Sequence, residues 1–187
     1  RAFGMSRVRR TSYSVTASLM FLWFAGTALV AMWFTFRDPA IDHRLVIFGS
    51  LLPDLVVGLS GSAWALHTLL APIMLMSIFM LVTIGRRHRR RLVLALPVGM
   101  FWHLVFDGAW MNTQTFWWPI TGLSFADASI PASGRSLNLV LLLECLGFVA
   151  LCWAWRRMGL GNSVRRRLFI RTGRLDREIT DPQTKSH

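Results

Sequence analysis

Charged side chains are scarce in this chain. They make up 16% of its 187 residues, against about 25% in an ordinary soluble domain. Lysine is nearly missing: of the 21 basic residues only Lys185 is not arginine, a bias that reads as genome base composition rather than as function. The two cysteines, Cys145 and Cys152, lie in one apolar stretch. On a helix they stand about 10 Å apart, too far for a disulfide, so they read as packing residues and leave the redox compartment open. No small-residue cleavage site follows the first apolar block, so that block reads as a span and not as a cleavable signal peptide. Methionine is absent from position 1, and either Met5 is the expected start or the N-terminus is trimmed. There is no internal repeat and no low-complexity tract. The length suits one domain.

What the chain does have is long apolar blocks, with 53% hydrophobic residues overall. Four blocks, roughly 15–36, 63–84, 92–110 and 137–155, approach the 20 or so residues that cross a bilayer. A fifth, 45–59, is shorter and contains Gly49, Pro53, Asp54 and Gly58. The net charge of +12 would suggest nucleic acid in a soluble protein. Here the arginines fall in short runs between or after apolar blocks, so they report topology, and no nucleic-acid partner is expected. Arg7, Arg9 and Arg10 precede the first block, 86–91 reads RRHRRR, and Arg156, Arg157 and Arg165 open a basic tail. Putting all three inside leaves no crossing for 45–59. The expected fold is all-α and integral to the plasma (inner) membrane, with four transmembrane helices plus a re-entrant or interfacial outer segment. It divides into a cytoplasmic N-terminus (1–14), a helical membrane domain (15–155, with re-entrant segment 45–59 and outer loop 111–136) and a basic cytoplasmic tail (156–187). Irregular backbone at membrane depth is tolerated where protein covers it or where it lines a cavity, so an outer cavity follows from this parity.

Ionisable residues inside spans are costly and tend to mark function. Asp54 lies in LLPD, His67 near the outer start of the second block, His103 and Asp107 in WHLVFD, and Glu144 in LLLEC. With the rise of a helix, His103 and Glu144 each lie about 10 Å below the outer face and His67 about 6 Å. His103 and Asp107, at i and i+4, share one helix face. A histidine and a carboxylate so spaced can share one zinc-like ion with an open position for water. A cation also explains how several carboxylates could be packed together without repelling or taking up protons. Blander readings stand beside this one. His67 alone is a hydrogen-bonded core histidine, His103 with Asp107 an ion pair locking two helices, and Glu144 a packing hydrogen bond. Asp42 and His43, in the outer loop DPAIDHR, read as surface residues, and His88 as electrostatic background. Trp110, Trp117 and Trp118 fit an interfacial aromatic belt.

LLPD at 51–54, His67 followed by Thr68, HxxxD from His103 to Asp107, and Trp118–Pro119 occur in this order. The set resembles the YdjM-like family of membrane-bound metal-dependent hydrolases, which share LLPD, THS, HxxxD and a Trp-Pro loop. A Glu in the last helix recurs there and matches Glu144. The resemblance covers roughly 45–144, and its specificity lies in order and spacing. Two positions depart from it: a second acid of the family is Val56 here, and an earlier His is Ser62. The departures imply either a single ion or a fold that has kept its shape and lost catalysis.

Two functions compete. One is a metal-dependent hydrolase acting on a phospho-ester of a membrane lipid at the outer face. Its divalent metal, zinc by donor type, would be held by His67, His103 and Asp107, with Asp54 or Glu144 as the catalytic carboxylate, and Arg135 or Arg44 could hold a phosphate. The other is a non-catalytic accessory subunit of a larger membrane complex, with other membrane subunits as partners. A transporter is a weaker third, since the chain shows one broken segment and no repeated half. In the tail, 163–174 mixes arginines with Leu168, Phe169 and Ile170, which suits a membrane-surface helix.

Overall fold

The computed structural model describes residues 20–36, 38–60, 65–122 and 135–180. Among these the chain is helical throughout its regular elements: α1 Phe21–Thr35, α2 His43–Ser60, α3 Leu70–Val82, α4 Arg87–Val93, α5 Ala95–Asp107, a 3-10 turn at Ala109–Met111, α6 Thr113–Phe116, α7 Leu137–Arg157, α8 Ser163–Thr172 and α9 Arg177–Thr180. The all-helical expectation holds. At 21 residues, α7 is the described helix long and apolar enough to cross a membrane, while α1 and α3 are shorter apolar helices.

Two glycine crossings bring the long helices together. Gly26 of α1 meets Gly147 of α7 so closely that a Cβ on either would collide with the other helix's backbone. Gly49 of α2 and Gly99 of α5 make a second such crossing, against the Leu96 and Val46 carbonyls. Small residues at a crossing let backbones approach and gain dispersion contacts that larger residues would forbid. The directions follow from the contacts. α1 and α7 run parallel, because Glu144 meets Leu22 and Trp23 while Met158 packs by Trp33. α2 and α5 run parallel to each other and opposite to α1, since Phe24 packs on Leu51 and Met32 on Val46 and Ala95.

Three expectations are corrected here. First, 45–59 is not broken at Pro53 but part of one continuous 18-residue helix. Pro53 removes a single backbone donor, and packing along α5 through Gly49 and Gly99 outweighs that loss. Second, the loop before α2 lies at the same end as the basic tail, not opposite it. His43 N–H donates to the Gly173 carbonyl at 2.9 Å, Arg44 donates to the Ile170 carbonyl at 2.9 Å, and Leu175 N–H donates to the Pro39 carbonyl at 3.1 Å. Asp42 and His43 are accordingly buried rather than surface residues. Third, α1 runs the other way from the expectation for 15–36. Its start sits with His103 and its end with Arg157, whose guanidinium lies 5.4 Å from the Trp33 ring centre. His88 also has a partner, accepting from Arg174 at 2.8 Å. Five long helices (α1, α2, α3, α5 and α7) thus run between a basic end and an opposite end. The N-terminal 1–19, Arg37, and the segments 61–64, 123–134 and 181–187 lie outside the described residues.

At the basic end Asp42 is a small hub. Burial pushes its carboxyl up, but the hydrogen bonds and charge of Arg44 outweigh this and hold it below the ordinary carboxylate range. The pair therefore adds stability that is present above the unfolded pKa of 3.8 and is lost as pH falls through the lower folded value. Gly173 has φ 68°, and a Cβ there would run into the Asp42 carboxylate. Gly173→Ala is expected to destabilise the docked tail by about 1–3 kcal/mol, read as faster tryptic cleavage within 163–174 with α7 still protected.

Candidate metal centre

The end opposite the arginines gathers the ionisable residues of the apolar blocks. Asp54 follows Pro53 on α2. One turn earlier on the same face, the Ser50 carbonyl accepts a hydrogen bond from His103 Nδ1 at 2.7 Å. A carbonyl can only accept, so Nδ1 carries the proton and the neutral ring's Nε2 is left with its lone pair. That Nε2 is buried, makes no hydrogen bond, and lies 3.6 Å from Asp54 Oδ1. The ring is held from behind by Phe24 of α1, their centres 4.1 Å apart.

His67 reaches the same point from the turn before α3. Thr68 Oγ1 donates to the Ala65 carbonyl at 2.9 Å, and Leu69 N–H donates to the Phe116 carbonyl at 2.9 Å. Leu69 also packs on Leu104, Ala109 and Phe116. These contacts tie the turn to α5 and α6. His67 Nε2 lies 3.9 Å from Asp54 Oδ1, and the two imidazole centres are 5.3 Å apart at 80°. One donor atom each from Asp54, His67 and His103 falls within a 4.8 Å group. Tetrahedral zinc with N and O ligands needs donors about 3.4 Å apart, so modest side-chain movement would close the set on one ion.

The other two residues predicted for the site stand differently. Asp107 is fully buried one turn beyond His103 but outside that three-residue group. Arg135 Nη2 is 3.4 Å from Asp107 Oδ1 and also donates to the Asp107 carbonyl. The structure groups Asp54, not Asp107, with the two histidines, and the Asp107 carboxylate faces the Arg135 guanidinium. Glu144 is corrected more sharply. Its two oxygens accept from Trp23 N–H and Leu22 N–H, each at 3.2 Å. It caps the positive N-terminal end of α1 from a neighbouring helix and lies outside the three-residue group. Glu144→Ala is expected to cost about 1–2 kcal/mol while leaving metal content unchanged, which thermal unfolding and elemental analysis would read together.

Arg135 is the residue sequence reasoning undervalued. It belongs to no motif, and only the fold brings it to Asp107. The role of the Ser50 carbonyl was likewise illegible, since a backbone acceptor leaves no mark in composition. Arg44, the other cation considered for phosphate, is at the basic end with Asp42. Val56 is part of α2, and Ser62 lies outside the described residues. With Arg135 beside Asp107, a cation held by Asp54, His67 and His103 would compensate the second carboxylate, which would otherwise take up a proton. The chain matches no protein-family model, no curated protein and no solved structure.

Proposed function

We propose that this chain is a membrane-embedded hydrolase of lipid phospho-esters, dependent on one divalent metal ion held by Asp54, His67 and His103. The convergence of those three side chains, with His103 oriented by the Ser50 carbonyl, carries the reading. Two histidines and a carboxylate with a free fourth position are a donor set that suits catalytic zinc. Such an ion supplies Lewis acidity to a phosphoryl oxygen. Arg135, held by Asp107 at the side of the group, would orient the phosphate through its remaining N–H groups. Asp54 turns Oδ1 toward the imidazoles, and its second oxygen would take the proton of the attacking water. The water oxygen bonds to phosphorus as the bond to the leaving alcohol breaks. The order of LLPD, His67–Thr68 and HxxxD, which resembles the YdjM-like hydrolases, points the same way.

The membrane placement rests on exposed apolar surface. Ile73, Ile78 and Leu81 on α3, and Leu142, Phe148 and Val149 on α7, are among many large hydrophobics left uncovered, more than a soluble monomer exposes. With the arginine-rich end of the described bundle cytoplasmic, the site would lie beneath the outer face, within reach of a lipid head group. The test is elemental analysis of purified protein alongside hydrolysis of a phosphorylated lipid. About one zinc per chain and activity abolished by chelation are expected. A chain free of transition metal that co-purifies with a stoichiometric membrane partner would replace this reading with the accessory-subunit one, which Val56 at the family's second acid position favours.

A further inference from the structure

The basic end carries an outward surface that the hydrolase reading leaves unused. The tail is folded, not loose. Met158, Leu160 and Leu175 are buried against Leu29 and Trp33, with Phe169 packed beside them. Asn162 caps α8 by accepting from Val164 N–H at 2.9 Å. The tail's described carboxylates are spent internally: Arg165 donates to Asp176 at 3.0 Å and to Glu178 at 2.9 Å. Among the described residues no carboxylate pairs with Arg166, Arg167 or Arg171.

Helical spacing puts Arg165, Phe169 and Thr172 on the packed side of α8 and turns Arg167 and Arg171 outward with Val164 and Ile170, while Arg166 and Leu168 stand at the two edges of that face. Val164 is 73% exposed and Ile170 63%. A helix whose outer face served only water would not set branched aliphatics among its arginines. The arginines of α4 stand at the same end, joined to the tail through the Arg174–His88 hydrogen bond. The position is also constrained. Five residues separate α8 from α7, the helix long enough to cross a bilayer, so α8 sits where α7 emerges.

We propose that α8, docked on the bundle, is a platform for anionic phospholipid head groups at the cytoplasmic membrane surface. Arg166, Arg167 and Arg171 hold phosphate mainly through their positive charge. Val164 and Ile170 dip toward the acyl level. Acidic protein and nucleic acid are disfavoured as occupants because neither explains the aliphatics between the arginines. The proposal shares with the hydrolase reading only the membrane, and it stands or falls independently of metal content and turnover.

The experiment is native mass spectrometry of the full chain in detergent, titrated with phosphatidylglycerol or phosphatidylcholine. Preferential retention of phosphatidylglycerol is expected. The triple variant R166Q/R167Q/R171Q should weaken it about a hundredfold, given the contribution of each basic residue near an anionic surface, and R166K/R167K/R171K should keep most of it. All three positions are exposed, so an unchanged melting temperature should confirm that each variant folds. Equal retention of the two lipids, or a glutamine variant as competent as the parent, would overturn the proposal. So would tighter binding of mixed-sequence duplex DNA than of phosphatidylglycerol at physiological salt.

Discussion

Purified His103→Ala protein is expected to carry less than about a tenth of the parent's zinc and to lose hydrolysis by a factor of about a thousand or more. The ring supplies one of three protein donors, and its Nε2 has no other hydrogen-bonding partner. Even removing a group that only orients a ligand costs tenfold to a hundredfold in metal affinity; removing the ligand should cost more. Alanine would also leave a cavity beside Phe24 and remove the hydrogen bond to the Ser50 carbonyl, costing about 2–4 kcal/mol. His103→Asn separates the two effects. An asparagine amide can still donate to Ser50 while offering nothing at the Nε2 position, so it should recover much of the stability and none of the metal. If the asparagine variant retained stoichiometric zinc, the three-residue site would be wrong.

Gly147→Leu should be the most damaging single change to the fold. A Cβ there meets the Leu22 and Trp23 backbone, which cannot move aside as a side chain can. Overpacking of side chains alone costs about 1–3 kcal/mol, and a backbone collision at a helix crossing should exceed that. Separating α1 from α7 would also withdraw Phe24 from His103 and pull Leu22 and Trp23 off Glu144, so zinc content should fall with stability. Gly58→Ala supplies the contrast. Gly58 is helical in α2 with nothing within 4 Å of a new Cβ, and alanine there should stabilise by about 0.5–1 kcal/mol. Thermal unfolding in detergent reads both. A Gly147→Leu protein that melts with the parent would refute the close crossing.

The polar residues worth watching were legible because charge is so rare in these blocks. Asp54, His67, His103 and Asp107 stand out against apolar neighbours, and all four meet at one end of the bundle. Their division of labour was not legible. Spacing put His103 and Asp107 on one face, as they are, but could not show that Arg135 would claim Asp107 from 28 residues away. Depth arithmetic put Glu144 level with His103, yet depth carries no information about which neighbour sits opposite. The expected break in 45–59 failed for a related reason. Pro53 and two glycines read as signs of a broken segment, whereas Gly49 is small because α5 crosses there.

What the sequence alone determined is the helical class, the arginine-rich end and the short roster of candidate donors, because composition and local periodicity act over one or two turns. The tertiary structure decided the direction of α1, the continuity of α2, and which carboxylate, Asp54 or Asp107, lies with the two histidines. It also decided the docking of the tail on Asp42 and His43. Each of these depends on contacts between residues far apart in the chain, where a missing Cβ or a free carbonyl selects the partner, and no local pattern records that choice.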